Sequence, residues 1–195
     1  MKFEEAKTYR WFYTSSDKLV VGGKSASQND ELLKNLNKEY WIMHTSAPGS
    51  PFCVIISPIS KVTKKDLEEC AIFCGCFSRA WKEGKKKTTI HLFKNSQVSK
   101  KKGMKSGTWG VVGKVKEIKV ELELVLTKQK KILRAVPEKS VMKKNTFLKV
   151  CPGKIDKKNM VNKILKEIGK DFDKNDILSA LPPGGVRICG RKNGR

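Results

Sequence analysis

The chain has 195 residues, and 42 Lys and Arg against 19 Asp and Glu leave a net charge of +23. That excess favours a polyanionic partner, nucleic acid or an anionic surface, while a hydrophobic content of 38% supports a folded core and excludes a merely basic disordered tail. No apolar run is long enough to span a membrane and MKFEEAKTYR lacks the apolar segment of an export signal, so the expectation is a cytoplasmic protein whose six cysteines are reduced thiols.

Residues 8–31, TYRWFYTSSDKLVVGGKSASQNDE, predict two strands and then a glycine pair that opens a helix. Aromatic residues 9–13 form the first strand, Ser15-Ser16-Asp17 the turn, and Leu19-Val20-Val21 the second strand. Ser25 or Ser27 caps the helix, since Ser25-x-x-Gln28 and Ser27-x-x-Asp30 both fit a capping box. Gly22, Gly23 and Lys24 then stand at a helix N-terminus, where free N–H groups and a partial positive charge make a phosphate cradle. The alternative is a strand-to-helix turn that needs glycine only for geometry. An ATP-hydrolysing P-loop is excluded, because the leading glycine of its motif would fall at Lys18.

Tyr40-Trp41-Ile42-Met43-His44 predicts a strand that ends at the Pro48-Gly49-Ser50-Pro51 turn. The continuous apolar run Phe52-Cys53-Val54-Ile55-Ile56 predicts a strand covered on both faces and central in its sheet. Residues 63–81 open with the cap Thr63-x-x-Asp66 and carry apolar residues at helical spacing, predicting one long helix packed on that sheet. Residues 88–93 form a further strand with His91 read as structural, residues 97–107 an exposed basic loop, and residues 109–114 a last strand.

The first stretch also resembles the opening of the NFACT-R domain, the RNA-binding module of ribosome-quality-control proteins of the NEMF and RqcH type. The resemblance rests on Arg10-Trp11-Phe12-Tyr13-Thr14-Ser15, Leu19-Val20-Val21-Gly22-Gly23-Lys24 and Gln28-Asn29-Asp30-Glu31-Leu32-Leu33. It continues through His44 with Gly49-Ser50-Pro51, through Cys76-Phe77-Ser78-Arg79-Ala80-Trp81, and through Gln97-Val98-Ser99-Lys100 with Gly107-Thr108-Trp109. It thus covers residues 1–115, the whole module, and implies that Gln28, Asn29, Gly49, Ser50 and Arg79 belong to an RNA site.

Residues 116–195 predict a small α+β extension with a basic, frayed tail over residues 187–195. Alternation from Ile118 to Leu126 marks a strand with one wet face; residues 132–136 return antiparallel, and residues 146–150 add a strand before Cys151-Pro152-Gly153. Helices follow at residues 159–168 and 173–181, the second stopped by Pro182-Pro183-Gly184-Gly185.

Catalysis and metal binding find little support. Two histidines lie outside any nucleophile motif, and Cys70, Cys74 and Cys76 share one helix without the spacing of a zinc site. Arg10 and Trp11 offer a guanidinium and a stacking ring for unpaired bases, as does Trp109, against the alternative that these aromatics are core. Lys100, Lys101, Lys102 and Lys105 lie in a glycine-bracketed loop suited to phosphates. His44 stands between an RNA contact and a structural hydrogen bond. The expectation is therefore an α+β NFACT-R-like domain, largely antiparallel in a mixed sheet, that binds structured RNA such as tRNA or rRNA without catalysis, metal or cofactor. The large ribosomal subunit is a candidate partner, and oligomeric state stays open. Two alternatives also stay open, a protein–protein adaptor on the ribosome and an RNA-modifying enzyme with Cys151 or Cys189 as its thiol.

Overall fold

A computed structural model describes residues 1–36, 39–169 and 171–191. In chain order the elements are α1 (Phe3–Ala6), β1 (Arg10–Tyr13), β2 (Leu19–Gly22), α2 (Ala26–Lys34), β3 (Trp41–Thr45), β4 (Cys53–Ile55), α3 (Lys64–Cys76), α4 (Arg79–Lys82) and β5 (Lys87–Lys94). The chain continues with β6 (Val98–Ser99), β7 (Gly110–Val111), β8 (Lys116–Glu121), β9 (Leu124–Gln129), β10 (Ile132–Val136), β11 (Thr146–Asp156), α5 (Lys157–Ile168), α6 (Lys174–Ala180) and β12 (Gly185–Arg191).

Two antiparallel sheets carry this α+β fold. The larger has six strands in the order β1-β2-β4-β3-β5-β8, the smaller four in the order β10-β9-β11-β12, and β6 and β7 form a separate two-stranded ribbon. Every strand pair among the described residues is antiparallel, so the sheet is not mixed. The apolar run at β4 is buried throughout and sits third in its sheet, as a strand covered on both faces should. One face, with Phe12, Val20, Met43 and Ile90, packs on Phe73, Cys74 and Phe77 of the α3 region. The other, with Trp11, Val21, Ile42 and Phe93, is covered by Leu32 and Leu33 of α2 and by Ala6 of α1.

The predicted caps form. Thr63 and Asp66 bond reciprocally at the start of α3, and Asp66 also accepts from Thr14 Oγ1 at 2.6 Å, tying the helix to the β1–β2 turn. Ser25 caps α2 by accepting from the Gln28 N–H at 3.2 Å. Gln28 does not complete a capping box with Ser25 but reaches one residue further back, accepting from the Lys24 N–H at 2.9 Å.

Several expected elements divide differently. The single helix over residues 63–81 is two, because Ser78 donates to the Gly75 carbonyl at 2.7 Å and accepts from the Ala80 N–H at 3.1 Å, ending α3 and capping α4. The expected strand over residues 115–126 is also two. β8 pairs with β5 and completes the large sheet through Glu121, whereas β9, whose first four residues are all buried, belongs to the small one. The expected division after residue 115 thus falls immediately before β8, the last strand of the large sheet.

β11 does not stop at Cys151-Pro152-Gly153. Register shifts between Pro152 and Ile155 absorb the proline in a bulge, where a missing N–H costs no ladder bond. The frayed tail is corrected too: Gly185–Arg191 is a strand paired with β11, and residues 192–195 lie outside the described residues. This pairing also overturns the reading of six reduced thiols. Cys151 and Cys189, on neighbouring strands with Cα atoms 5.9 Å apart, form a disulfide, and Cys53, Cys70, Cys74 and Cys76 are free and buried.

The small sheet grips the open edge of the large one. The side chain of Gln129 mimics a strand, accepting from the Tyr13 N–H at 2.8 Å and donating to the Tyr13 carbonyl at 2.9 Å. Arg134 Nε donates to the Trp11 carbonyl at 3.1 Å. These bonds satisfy edge groups of β1 that would otherwise need water or another strand. Trp81, fully buried, extends the link by donating from its indole to the Gly185 carbonyl at 3.0 Å.

Candidate nucleic-acid interface

A cleft of about 670 Å³ opens where the β2–α2 turn, the β3–β4 connection, the α3–α4 junction and the loop before β7 converge. Arg10, Gly23, Lys24 and Asn29 line one wall, and His44, Gly49 and Ser50 line the next. Arg79 and Lys82 of α4 close a third side, and Trp109 and Pro183 complete the rim. The lining thus contains four lysine or arginine side chains and two histidines, with no Asp or Glu among them. An acid-free concave wall of that kind concentrates positive potential where an anion enters.

The β2–α2 turn is shaped by contact as much as by cap chemistry. A Cβ on Gly23 would stand 2.1 Å from Asn29 Oδ1, the atom that accepts from the Phe52 N–H at 3.1 Å. Glycine therefore lets α2 press against β4 while leaving Lys24 at the cleft mouth. Arg10 Nη1 donates to the Gly23 carbonyl, and its guanidinium carbon lies 5.4 Å from the Phe77 ring centroid. Burial pulls the Arg10 and Lys24 pKa values down, and for Lys24 the positive charges of Arg134 and Arg10 pull further.

Across the cleft, the Arg79 N–H donates to the Gly49 carbonyl at 2.7 Å. Gly49 has φ +101, and a Cβ there would meet Arg79 Cβ and Nε at 3.1 Å, so glycine satisfies both backbone and space. Ser50 Oγ accepts from the Thr45 N–H at 3.0 Å. His44 Nδ1 lies 2.7 Å from the Thr45 carbonyl, which only accepts, so Nδ1 carries the proton and Nε2 of the neutral ring is an acceptor. Burial lowers the His44 pKa, partly offset by that carbonyl, and keeps the ring neutral at pH 7.

The basic loop is organised by one carboxylate. Asp30 accepts from Lys100 Nζ at 2.8 Å, Ser106 Oγ at 3.1 Å, the Gly107 N–H at 3.1 Å and Trp109 Nε1 at 2.7 Å. Burial alone would raise its pKa, but these bonds outweigh it and hold the carboxyl at about 2. The loop is thereby pinned to α2 as a wall of the cleft.

Of the residues expected in the site, Arg10, Gly23, Lys24, Asn29, His44, Gly49, Ser50, Arg79 and Trp109 are brought together here. Gly22 is buried in β2, and Gln28 holds the turn through the Lys24 N–H. Trp11 is 2% exposed, packed edge-on to Phe3 and under the Arg134 guanidinium, so it presents no open ring for a base. Lys100 is neutralised by Asp30, whereas Lys101, Lys102 and Lys105 are exposed outside the lining. Lys82 and Arg134 went unnoticed in the sequence, and His91, read there as structural, lines the cleft. His91 had a legible signal, since strand pairing puts it directly opposite His44; it lies 3.4 Å from Glu117.

Among the described residues no group of three or more His, Cys, Asp or Glu side chains gathers as a metal site, and no helix is long and apolar enough to cross a membrane. Cys151 and Cys189, the thiols considered for an enzymatic role, are bonded to each other.

Comparison with known proteins places this geometry in context. Residues 8–113 match the family described as the NFACT protein RNA binding domain. The archaeal Rqc2 homolog aRqcH of Methanocaldococcus jannaschii is 34% identical over 186 residues, covering 87% of this chain and 27% of that protein. That match runs far past residue 113, so the second sheet shares the similarity. The ribosome quality control complex subunit NEMF of mouse and of human is 29% identical over 75 residues, 37% of this chain and 7% of theirs. The chain therefore spans about a quarter or less of these relatives. In fold it resembles the C-terminal part of the fibronectin/fibrinogen-binding protein of Streptococcus suis, with a TM-score of 0.54, 19% identity, and coverage of 59% of this chain and 45% of the other.

Proposed function

Because the chain belongs to the NFACT protein RNA-binding domain family, we propose that it is a non-catalytic RNA-binding protein acting in the cytoplasm in ribosome quality control. Its RNA is structured, a tRNA or a ribosomal RNA reached on the large subunit. The observation that carries this reading is the acid-free cleft, in which Arg10, Lys24, Arg79 and Lys82 face one concave space.

Each part of the wall suits a different feature of RNA. The exposed Lys24, Arg79 and Lys82 side chains contact successive phosphates, and Lys101, Lys102 and Lys105 extend the field outward. His44 Nε2, an acceptor at neutral pH, suits a ribose 2′-hydroxyl, the group that separates RNA from DNA. The half-buried Trp109 ring, fixed through its indole N–H by Asp30, offers an edge against a splayed base.

The test is a binding series with labelled tRNA. Lys24→Ala, Arg79→Ala and Lys82→Ala should each weaken binding by about 1–2 kcal/mol and lower the salt slope by about 1. A Lys163→Ala control on the exposed face of α5 should leave both unchanged. Equal small losses in all four variants would mean that only the overall charge binds RNA, and the cleft assignment would be wrong.

A further inference from the structure

We propose that Arg10, Lys24 and Arg134 form a subsite for a single phosphate group, built across both sheets, with the small sheet supplying its buried third cation. The RNA reading names the owner of that phosphate, so on this point the inference rests on the proposed function.

The geometry converges from three directions. Arg10, which opens β1, donates to the Gly23 carbonyl, so its guanidinium is anchored one residue from Lys24. Arg134, in the middle of β10, reaches over the edge of β1 to the Trp11 carbonyl at 3.1 Å, one residue from Arg10. Its guanidinium carbon lies 4.5 Å from the Trp11 ring centroid, and the whole residue is only 8% exposed. The two anchors lie at the same end of the β1–β2 pair, since Arg10 pairs with Gly22 and Trp11 with Val21.

The charges there are uncompensated. Among the described residues, none of the three cations takes part in an ion pair. Arginine is almost never this deeply buried without an acid, and removing like charges from water together costs energy on both counts. Burial, and secondarily the charge of Arg10, draws the Arg134 pKa down to about 10. Lys24 responds to burial and to both arginines in the same direction. Lys157 of α5 also feels Arg10, but its Nζ donates to the Leu178 carbonyl at 2.7 Å and so adds field rather than contact.

An anion among these three cations attracts each of them and offsets their mutual repulsion. Phosphate matches best, because two guanidinium groups offer planar forks and Lys24 adds a mobile point charge at the entrance. A free inorganic phosphate and a phosphodiester of RNA present the same group, and the experiment separates them.

Thermal unfolding of the full chain is compared in inorganic phosphate and in chloride at matched ionic strength, and tRNA binding is titrated in parallel. For the unaltered chain, 10 mM phosphate should raise Tm by about 3 °C over chloride if the subsite binds in the millimolar range. Lys24→Ala, at an exposed position, should fold normally and lose most of that shift. Arg134→Gln should lose it entirely, and Arg134→Lys, which keeps the charge without the fork, should retain part. In tRNA binding, Arg134→Gln should weaken affinity about tenfold and lower the salt slope by about 1. A phosphate shift that persists in both Lys24→Ala and Arg134→Gln would overturn the subsite. RNA binding with no phosphate shift, and with the slope lowered in Lys24→Ala but unchanged in Arg134→Gln, would overturn it while sparing the RNA reading. A phosphate shift lost in these variants, with no RNA binding, would uphold the subsite and overturn the RNA reading.

Discussion

Replacing Asp30 by Asn separates architecture from simple charge. The substitution raises the net charge from +23 to +24, so electrostatics alone predicts tighter RNA binding. The structure predicts the opposite, because Asp30 gathers Lys100, Ser106, Gly107 and Trp109 into the cleft wall. Its pKa falls from 3.8 to about 2, and at 1.36 kcal/mol per unit the folded chain favours the charged form by about 2 kcal/mol. Asn keeps an acceptor for the Trp109 indole and the Gly107 N–H, so the loss is chiefly the charged share. Urea unfolding at pH 7 should show a loss of about 2 kcal/mol, with tRNA affinity falling severalfold at low salt. The sign in pH follows. A carboxyl whose folded pKa is depressed stabilises above its unfolded value, so the difference between the chains is full above about pH 4 and disappears as pH falls through about 2. Unchanged stability at pH 7 together with tighter RNA binding would refute the reasoning.

Gly23→Ala should displace Asn29 and leave the Phe52 N–H buried without its acceptor, a loss of about 1–3 kcal/mol measured by denaturant unfolding. The β9–β10 hairpin turns through Lys130 and Lys131, with φ of 49° and 64° in the left-handed region. Lys130→Asn with Lys131→Gly should stabilise the fold by about 1 kcal/mol, seen as a higher Tm; no gain would argue against the turn geometry. Reducing Cys151–Cys189, which closes 38 residues of sequence, should lower stability by up to about 4 kcal/mol on chain-entropy grounds. Urea midpoints with and without dithiothreitol measure this, with Cys189→Ser as a variant insensitive to the reductant.

Much of the large sheet was legible because its signals are local. β1, β2 and α2 follow from aromatic density, a polar turn and a serine cap, and β4 from a continuous apolar run with no wet face. The missed boundaries turn on single residues acting through distant contacts. Ser78 divides a helix whose apolar spacing alone continues to Trp81, and the alternating pattern that crosses residue 122 conceals a change of sheet. The proline at 152 reads as a breaker until a partner strand shows that it lies in a bulge.

The site was legible in the same uneven way. Its turns announced themselves through glycine beside Lys24 and Ser50, but local sequence does not distinguish Lys100 from Lys101. Asp30, 70 residues earlier, neutralises the first and leaves the second exposed. Trp11, read as a ring for stacking or as core, is core, since both faces of its sheet are covered. Arg134 carries no motif, and its role follows from the small sheet gripping the edge of β1. The pairing of Cys151 with Cys189 likewise depends on β12, whose strand the basic composition of the tail concealed.

The most direct test of the central claim is equilibrium binding of tRNA, an RNA duplex and a single strand across a salt series, with the unaltered chain and Arg79→Ala/Lys82→Ala side by side. The account predicts a clear preference for one structured RNA, log K falling steeply with log salt, and a slope lower by about 2 in the double variant. Weak binding of equal strength to all three RNAs, with the same slope in both chains, would contradict it.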